Sequence, residues 1–152
     1  MRAASRYLIW ITASVMLLAW ILNLDQLEAL SFQKDRDFRN ISGIIVMALI
    51  LFQWSLTLGR TVFQRSGSQW GKWSDWHIRA SLLLPFSVLA HSISIGWGLL
   101  AILPLTLLAS GHFGSMLEGE PNIKKSLPYH IGLSVATLVM ALVHATTVLL
   151  FN

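Results

Sequence analysis

The chain has 152 residues, of which 55% are hydrophobic, 12% are charged and none is cysteine. Soluble domains carry about a quarter charged residues, so this composition points to a bilayer. The missing cysteine excludes disulfides, thiolate-ligated iron–sulfur clusters, c-type haem attachment and a cysteine nucleophile. The net charge of +4 comes from Lys and Arg spread through short connections, without a basic face or stripe. Nucleic acid is therefore not an expected partner, and positive-inside topology accounts for the charge.

The first apolar segment, residues 7–24, follows Arg2 and Arg6 and runs into Asp25, Gln26, Leu27 and Glu28. No small-residue cleavage site follows it, so it reads as an uncleaved membrane helix and not as a signal peptide. Asp25, Glu28, Asp35 and Asp37 then make a mildly acidic, solvated loop. The second segment, residues 41–59, lies between Arg39 and Arg60 and suits one crossing of a hydrocarbon core about 30 Å thick. Residues 65–76, rich in Ser, Gly and Trp, predict an interfacial loop with aromatic anchors.

From Ala80 to Leu117 no charged side chain occurs in 38 residues. One helix of that length would reach roughly 57 Å, nearly twice the hydrocarbon thickness. Gly96-Trp97-Gly98 offers a break, which gives spans at 77–95 and 98–117. Pro85 and Pro104 predict kinks within these two spans. Gly111, Gly114, Gly119 and Pro121 read as the loosened end of the fourth helix, and residues 129–151 form the last span.

The expected architecture is thus an all-α integral membrane bundle of five transmembrane helices, forming one domain over residues 1–152. With a cytoplasmic amino terminus it puts eight basic residues inside (Arg2, Arg6, Arg60, Arg65, Lys72, Arg79, Lys124, Lys125) and three outside (Lys34, Arg36, Arg39). Four helices, with residues 80–109 as one tilted rod, would divide them six against five and nearly erase the bias.

His77 and His91 are fourteen positions apart, and so are His130 and His144. Fourteen residues make nearly four helical turns, so each pair shares a face at a separation of roughly 21 Å. A histidine in lipid is costly unless something uses it, and imidazole is a common axial ligand of haem iron. Two helices marked in this way can clamp two metal centres, one near each membrane face. The same spacing on both helices fits either order of pairing. Five helices make the two parallel, with His77 facing His130 and His91 facing His144; four make them antiparallel, with His77 facing His144 and His91 facing His130.

His112 has no counterpart and reads as structural or interfacial, with proton handling at a substrate site as the other role. Gly132, two residues beyond His130, either admits a porphyrin or packs against another helix. Arg79, Arg60 and Lys72 are candidates to neutralise haem propionates on the cytoplasmic side, or they serve topology alone. No phosphate-binding glycine loop, dinucleotide fingerprint, serine elbow or H-E-x-x-H is present. The chain holds no flavin or nicotinamide domain, so its reductant must bind elsewhere.

Three stretches resemble the ferric reductase-like transmembrane domain family, over roughly residues 38–150. These are Phe38-Arg39-Asn40-Ile41-Ser42-Gly43 leading to Leu58-Gly59-Arg60, Trp76-His77 through Ala90-His91, and Tyr129-His130 through Val143-His144. The resemblance implies two b haems between two parallel helices, with His77 and His130 on the inner iron and His91 and His144 on the outer. It also implies a subunit of a redox complex, set in a bacterial inner (plasma) membrane. Electrons would arrive from a flavoprotein or quinol and leave to an external acceptor or a partner redox subunit. Whether the chain is itself an enzyme stays open. The competing readings are a quinol-linked cytochrome b561-type oxidoreductase, which also spaces its histidines thirteen or fourteen apart, a histidine-lined metal carrier, and a cofactor-free membrane subunit.

Overall fold

The computed structural model describes residues 2–22, 28–61, 68–92, 99–117 and 120–151, and these are helical almost throughout, with no strand among them. Five α-helices follow one another: α1 Arg2–Ile21, α2 Arg36–Thr61, α3 Ser68–His91, α4 Leu99–Ser115 and α5 Glu120–Phe151. A 3-10 segment, Glu28–Lys34, precedes α2. The Gly96-Trp97-Gly98 break lies outside the described residues. α3 nonetheless ends at His91 and α4 begins at Leu99, so the long uncharged stretch is divided between two helices.

Two helices start earlier than hydrophobicity suggests. Residues 68–76, expected as part of an interfacial loop, form the first turns of α3. Gln69, Lys72 and the tryptophans are compatible with a helix, and the single Gly71 costs only about 1 kcal/mol relative to alanine. α5 begins at Glu120, nine residues before the apolar run, with Pro121 in its first turn, where a missing N–H costs nothing. The fourth helix is likewise not loosened at Gly111 and Gly114, since α4 continues through both to Ser115. Pro85, Pro104 and Pro128 all lie inside helices.

The ends of α2 and α3 are satisfied by side chains. Asp35 caps α2, its Oδ1 accepting from the Phe38 N–H at 2.9 Å, and Asp37 follows in the first turn. The acidic loop residues thus include a helix cap. Gln33 Nε2 donates to the carbonyls of Leu89 (2.9 Å) and Ala90 (3.2 Å), which belong to the last turn of α3.

α2 and α3 run antiparallel, as do α4 and α5, as the contacts between them show. Ser42 of α2 meets His91 of α3, while Gln53, one helical stretch further on, meets His77 at 3.3 Å. Trp10 of α1 meets His112 of α4. Ser110 of α4 meets Ser134 of α5 at 2.6 Å, and Thr106, a turn earlier, meets Thr137 at 3.1 Å. α4 packs along α5 and α2 along α3, while α1 fills the groove between α3 and α4. The shared core includes Met16, Ile50, Leu84, Val88 and Leu108. By contrast, the backbones of α3 and α5 hardly approach one another among the described residues. Two pairs of histidine rings meet between these helices.

A few hydroxyls join the aliphatic core, and many large apolar side chains face outward. Thr12 and Thr137 are only 1% and 2% exposed, whereas Leu149 is 83% exposed and Ile44 69%. Arg36–Gly59 and Ile123–Phe151 are long and apolar enough to cross a membrane, with mean hydropathy 2.0 and 2.1. Only 18% and 11% of those stretches is buried, unlike the core helix of a soluble fold. Tyr7–Ala19 and Ala101–Ser115 are shorter apolar helices.

The Thr106–Thr137 contact at 3.1 Å links α4 to α5, with the single Thr137 hydroxyl proton shared between Thr106 Oγ1 and the Leu133 carbonyl of its own helix at 2.8 Å. A double-mutant cycle with Thr106→Val and Thr137→Val should give a coupling of about 0.6 kcal/mol, the size usual for interhelical hydrogen bonds in apolar surroundings. Unfolding measured in detergent micelles checks this value.

Candidate functional site

α3 and α5 each carry two histidines nearly four turns apart, and the structure brings all four together in two tiers. The rings of His77 and His130 have centroids 6.3 Å apart with an interplanar angle of 89°. Those of His91 and His144 are 6.4 Å apart at 73°. The earlier residue of one helix meets the earlier residue of the other, so α3 and α5 run parallel. The antiparallel pairing that four helices would require does not occur. The tiers are separated by about 21 Å of helix rise.

Both distances match one simple arrangement. Two imidazoles on opposite sides of one metal ion, each bonded at about 2 Å, place their ring centres about 6 Å apart. Direct ring packing at such a distance is also sterically unremarkable, so the seating of each imidazole carries more information than the separation.

His130 lies against α4. Its Nδ1 is 2.8 Å from the carbonyl oxygen of Ser110 and 3.2 Å from the Ser110 hydroxyl. A carbonyl only accepts, so the ring proton is on Nδ1, and Nε2 keeps its lone pair. The Ser110 hydroxyl belongs to a small network with Ser134 Oγ at 2.6 Å and the His130 carbonyl at 3.3 Å. Gly114, one turn further along α4, lies flat against the imidazole. A Cβ there would fall 2.9 Å from His130 Cε1 and 3.0 Å from Nδ1.

The tier of His91 and His144 repeats this plan on α2. His91 Nδ1 is 2.9 Å from Ser42 Oγ. A Cβ on Gly43 would lie 3.2 Å from His91 Cε1. In each tier, therefore, one histidine is held by a serine and faced by a glycine from the adjacent helix. The glycines let the imidazole sit close to a neighbouring backbone, and the Nδ1 contacts orient the ring with Nε2 available for a ligand bond.

Other candidate residues fall elsewhere. Arg79 is exposed and lies over the ring of Trp76 at 5.8 Å. Being two residues beyond His77, it projects from the opposite side of α3. Lys72 is exposed on the first turns of α3, and Gly132 is exposed with no atom within 4 Å of a Cβ position. Gly132 therefore neither packs against a helix nor shares the histidine face. The side chain of Arg60, together with Arg65, Asp25 and Gly119, lies outside the described residues.

His112 is on the far side of α4 from Ser110 and Gly114. It meets Trp10 edge-on at 5.4 Å and Phe113 at 5.7 Å, and joins Ile9, Ala13 and Leu108 in lining an apolar groove. It pairs with none of the other histidines. The aromatic side chains Phe52 and Trp73 stack at 6.5 Å, and Phe113 and Tyr129 at 5.1 Å, near the end of the bundle that holds His77 and His130.

Nothing in the sequence marks Ser42 and Ser110 as orienting imidazoles, and Gly114 reads there only as part of a helix end. Ser110 and Gly114 form a small-xxx-small pair, a pattern that marks close helix approach but not what approaches. Among the described residues no group of three or more His, Cys, Asp or Glu gathers, and the imidazoles come in twos. A porphyrin provides four nitrogens itself and requires one or two from the protein, so the donor set fits haem better than a naked metal ion. No family model matches the chain, and neither a curated protein nor a solved structure is similar to it.

Proposed function

We propose that this chain is a membrane cytochrome that moves electrons across a bilayer through two bis-histidine b haems, as a subunit of a redox complex. The observation that carries the proposal is the two-tier pairing, His77 with His130 and His91 with His144, on two parallel helices whose backbones stand apart. In this reading the space between α3 and α5 would take the macrocycles, with His77, His91, His130 and His144 as the residues that would hold iron. A haem held by two imidazoles supplies a one-electron couple without an open coordination position.

The chain's residues have three tasks. The serine and carbonyl contacts at His91 and His130 hold those rings in the ligating tautomer. The closely packed α4–α5 and α2–α3 pairs keep the tiers about 21 Å apart along the bundle. The apolar helices exclude water from the space between.

Membrane insertion is part of the same proposal. It is supported by the many large apolar side chains that face outward and by the two long apolar helices. All five helices cross, the shorter ones by using their flanking residues, with the amino terminus in the cytoplasm of a bacterial cell and the surrounding lipid as solvent. Eight of the eleven basic residues then lie on the cytoplasmic side. Electrons enter the inner tier from a flavoprotein or quinol and leave the outer tier to an external acceptor or a partner subunit.

Purification from membranes followed by a pyridine haemochrome assay tests this reading. The expected result is two b haems per chain and a Soret band. A colourless, folded protein would overturn it, and bound zinc, copper or nickel in place of haem would favour a metal carrier.

A further inference from the structure

We infer that Ser42 is a positioning residue that sets the reduction potential of the outer centre through the His91 imidazole. The inference rests on the haem reading above. It follows from where one proton goes. The Ser42 hydroxyl is 2.7 Å from the Phe38 carbonyl, four residues back on α2, and 3.3 Å from the carbonyl of Arg39. Both are acceptors only, and a hydroxyl has one proton to donate. Donation to Phe38 leaves the Ser42 oxygen as an acceptor toward His91 Nδ1 at 2.9 Å. The imidazole proton is therefore on Nδ1, and Nε2 of this ring, which faces His144 at 6.4 Å between centroids, keeps its lone pair.

An imidazole that donates from Nδ1 is a more basic ligand through Nε2. Greater basicity favours the ferric state, which carries the extra positive charge, and lowers the potential. Gly43 lies against the same ring, with a Cβ position 3.2 Å from Cε1, so His91 is fixed by two consecutive residues of α2. The inner tier differs in kind. His130 donates to a backbone carbonyl, at Ser110, which no substitution removes. The outer centre is thus adjustable by a side chain, while the main chain sets the contact at the inner one.

The alternative role for Ser42 is purely local, a hydroxyl bonded back onto its own helix. Potentiometry on purified full-length protein separates the two, comparing wild type with Ser42→Ala, Ser42→Cys and Ser42→Thr, and using His144→Ala to identify the outer component. Ser42→Ala should retain two haems per chain and shift the outer component alone to higher potential. Ser42→Cys, a weaker acceptor, should shift it the same way by less, and Ser42→Thr should restore it. The cysteine variant gives the reading even where Ser42→Ala loses its outer haem. Unchanged components, or equal shifts in both, would overturn the role of Ser42. Absence of haem from wild type would instead overturn the haem reading.

Discussion

On the two-haem proposal, replacing His130 with alanine should leave a protein that folds and binds about half of the wild-type haem, because each iron would depend on one pair of imidazoles and the pairs lie in separate tiers. The same result is expected for His77→Ala, since the two rings face one another at 6.3 Å. His91→Ala and His144→Ala should each remove the other haem. The pattern among double variants is the sharper measurement. His77→Ala with His130→Ala removes two ligands of one tier and should keep one haem. His77→Ala with His144→Ala takes one ligand from each tier and should keep none. If haem content followed the number of histidines removed and not their pairing, the parallel arrangement of α3 and α5 would not describe the binding sites.

Gly114→Ala should have nearly the effect of losing His130 itself. Its new methyl would fall 2.9 Å from His130 Cε1, closer than side chains tolerate, and the imidazole cannot yield without losing its contact with the Ser110 carbonyl. Overpacking of this kind costs about 1–3 kcal/mol, and the ring either tilts away from its partner or pushes α4 from α5. Inner haem should be lost or weakly held while the outer haem stays. Gly43→Ala should be milder, because its nearest approach to His91 is 3.2 Å and a few tenths of an ångström relieve it. Gly111→Ala provides the control: its methyl would meet only the flexible tip of Ile9 at 3.0 Å, and both haems should remain. Haem spectra of the three variants, with thermal stability of each, check the order. Equal behaviour of Gly114→Ala and Gly111→Ala would show that His130 does not need that glycine.

Much of this was legible from residues alone, and for identifiable reasons. The helical class followed from the apolar segments, and the expectation of a break within the 38 uncharged residues followed from their exceeding one bilayer crossing. Helix boundaries were less legible. α3 begins at Ser68 and α5 at Glu120 because polar residues extend a helix readily once its apolar part is packed, and hydrophobicity records only the apolar part. Gly114 looked like a helix end, since glycine is the usual helix terminator; in α4 it is a place where an imidazole lies against the backbone.

The sequence by itself determined that four histidines form two equal intervals, because a helix has a constant rise and pitch, and that Lys and Arg divide unevenly along the chain. The spacing alone could not choose between parallel and antiparallel pairing, since a fourteen-residue interval looks the same in both directions, and the uneven split of basic residues only favoured the parallel order. Only the tertiary structure decided that, by dividing the long apolar stretch and aligning His77 with His130 and His91 with His144. It also decided which residues orient the imidazoles. Ser42 and Ser110 are 49 and 20 positions from the rings they hold, and contacts over such distances exist only once α2 has packed on α3 and α4 on α5.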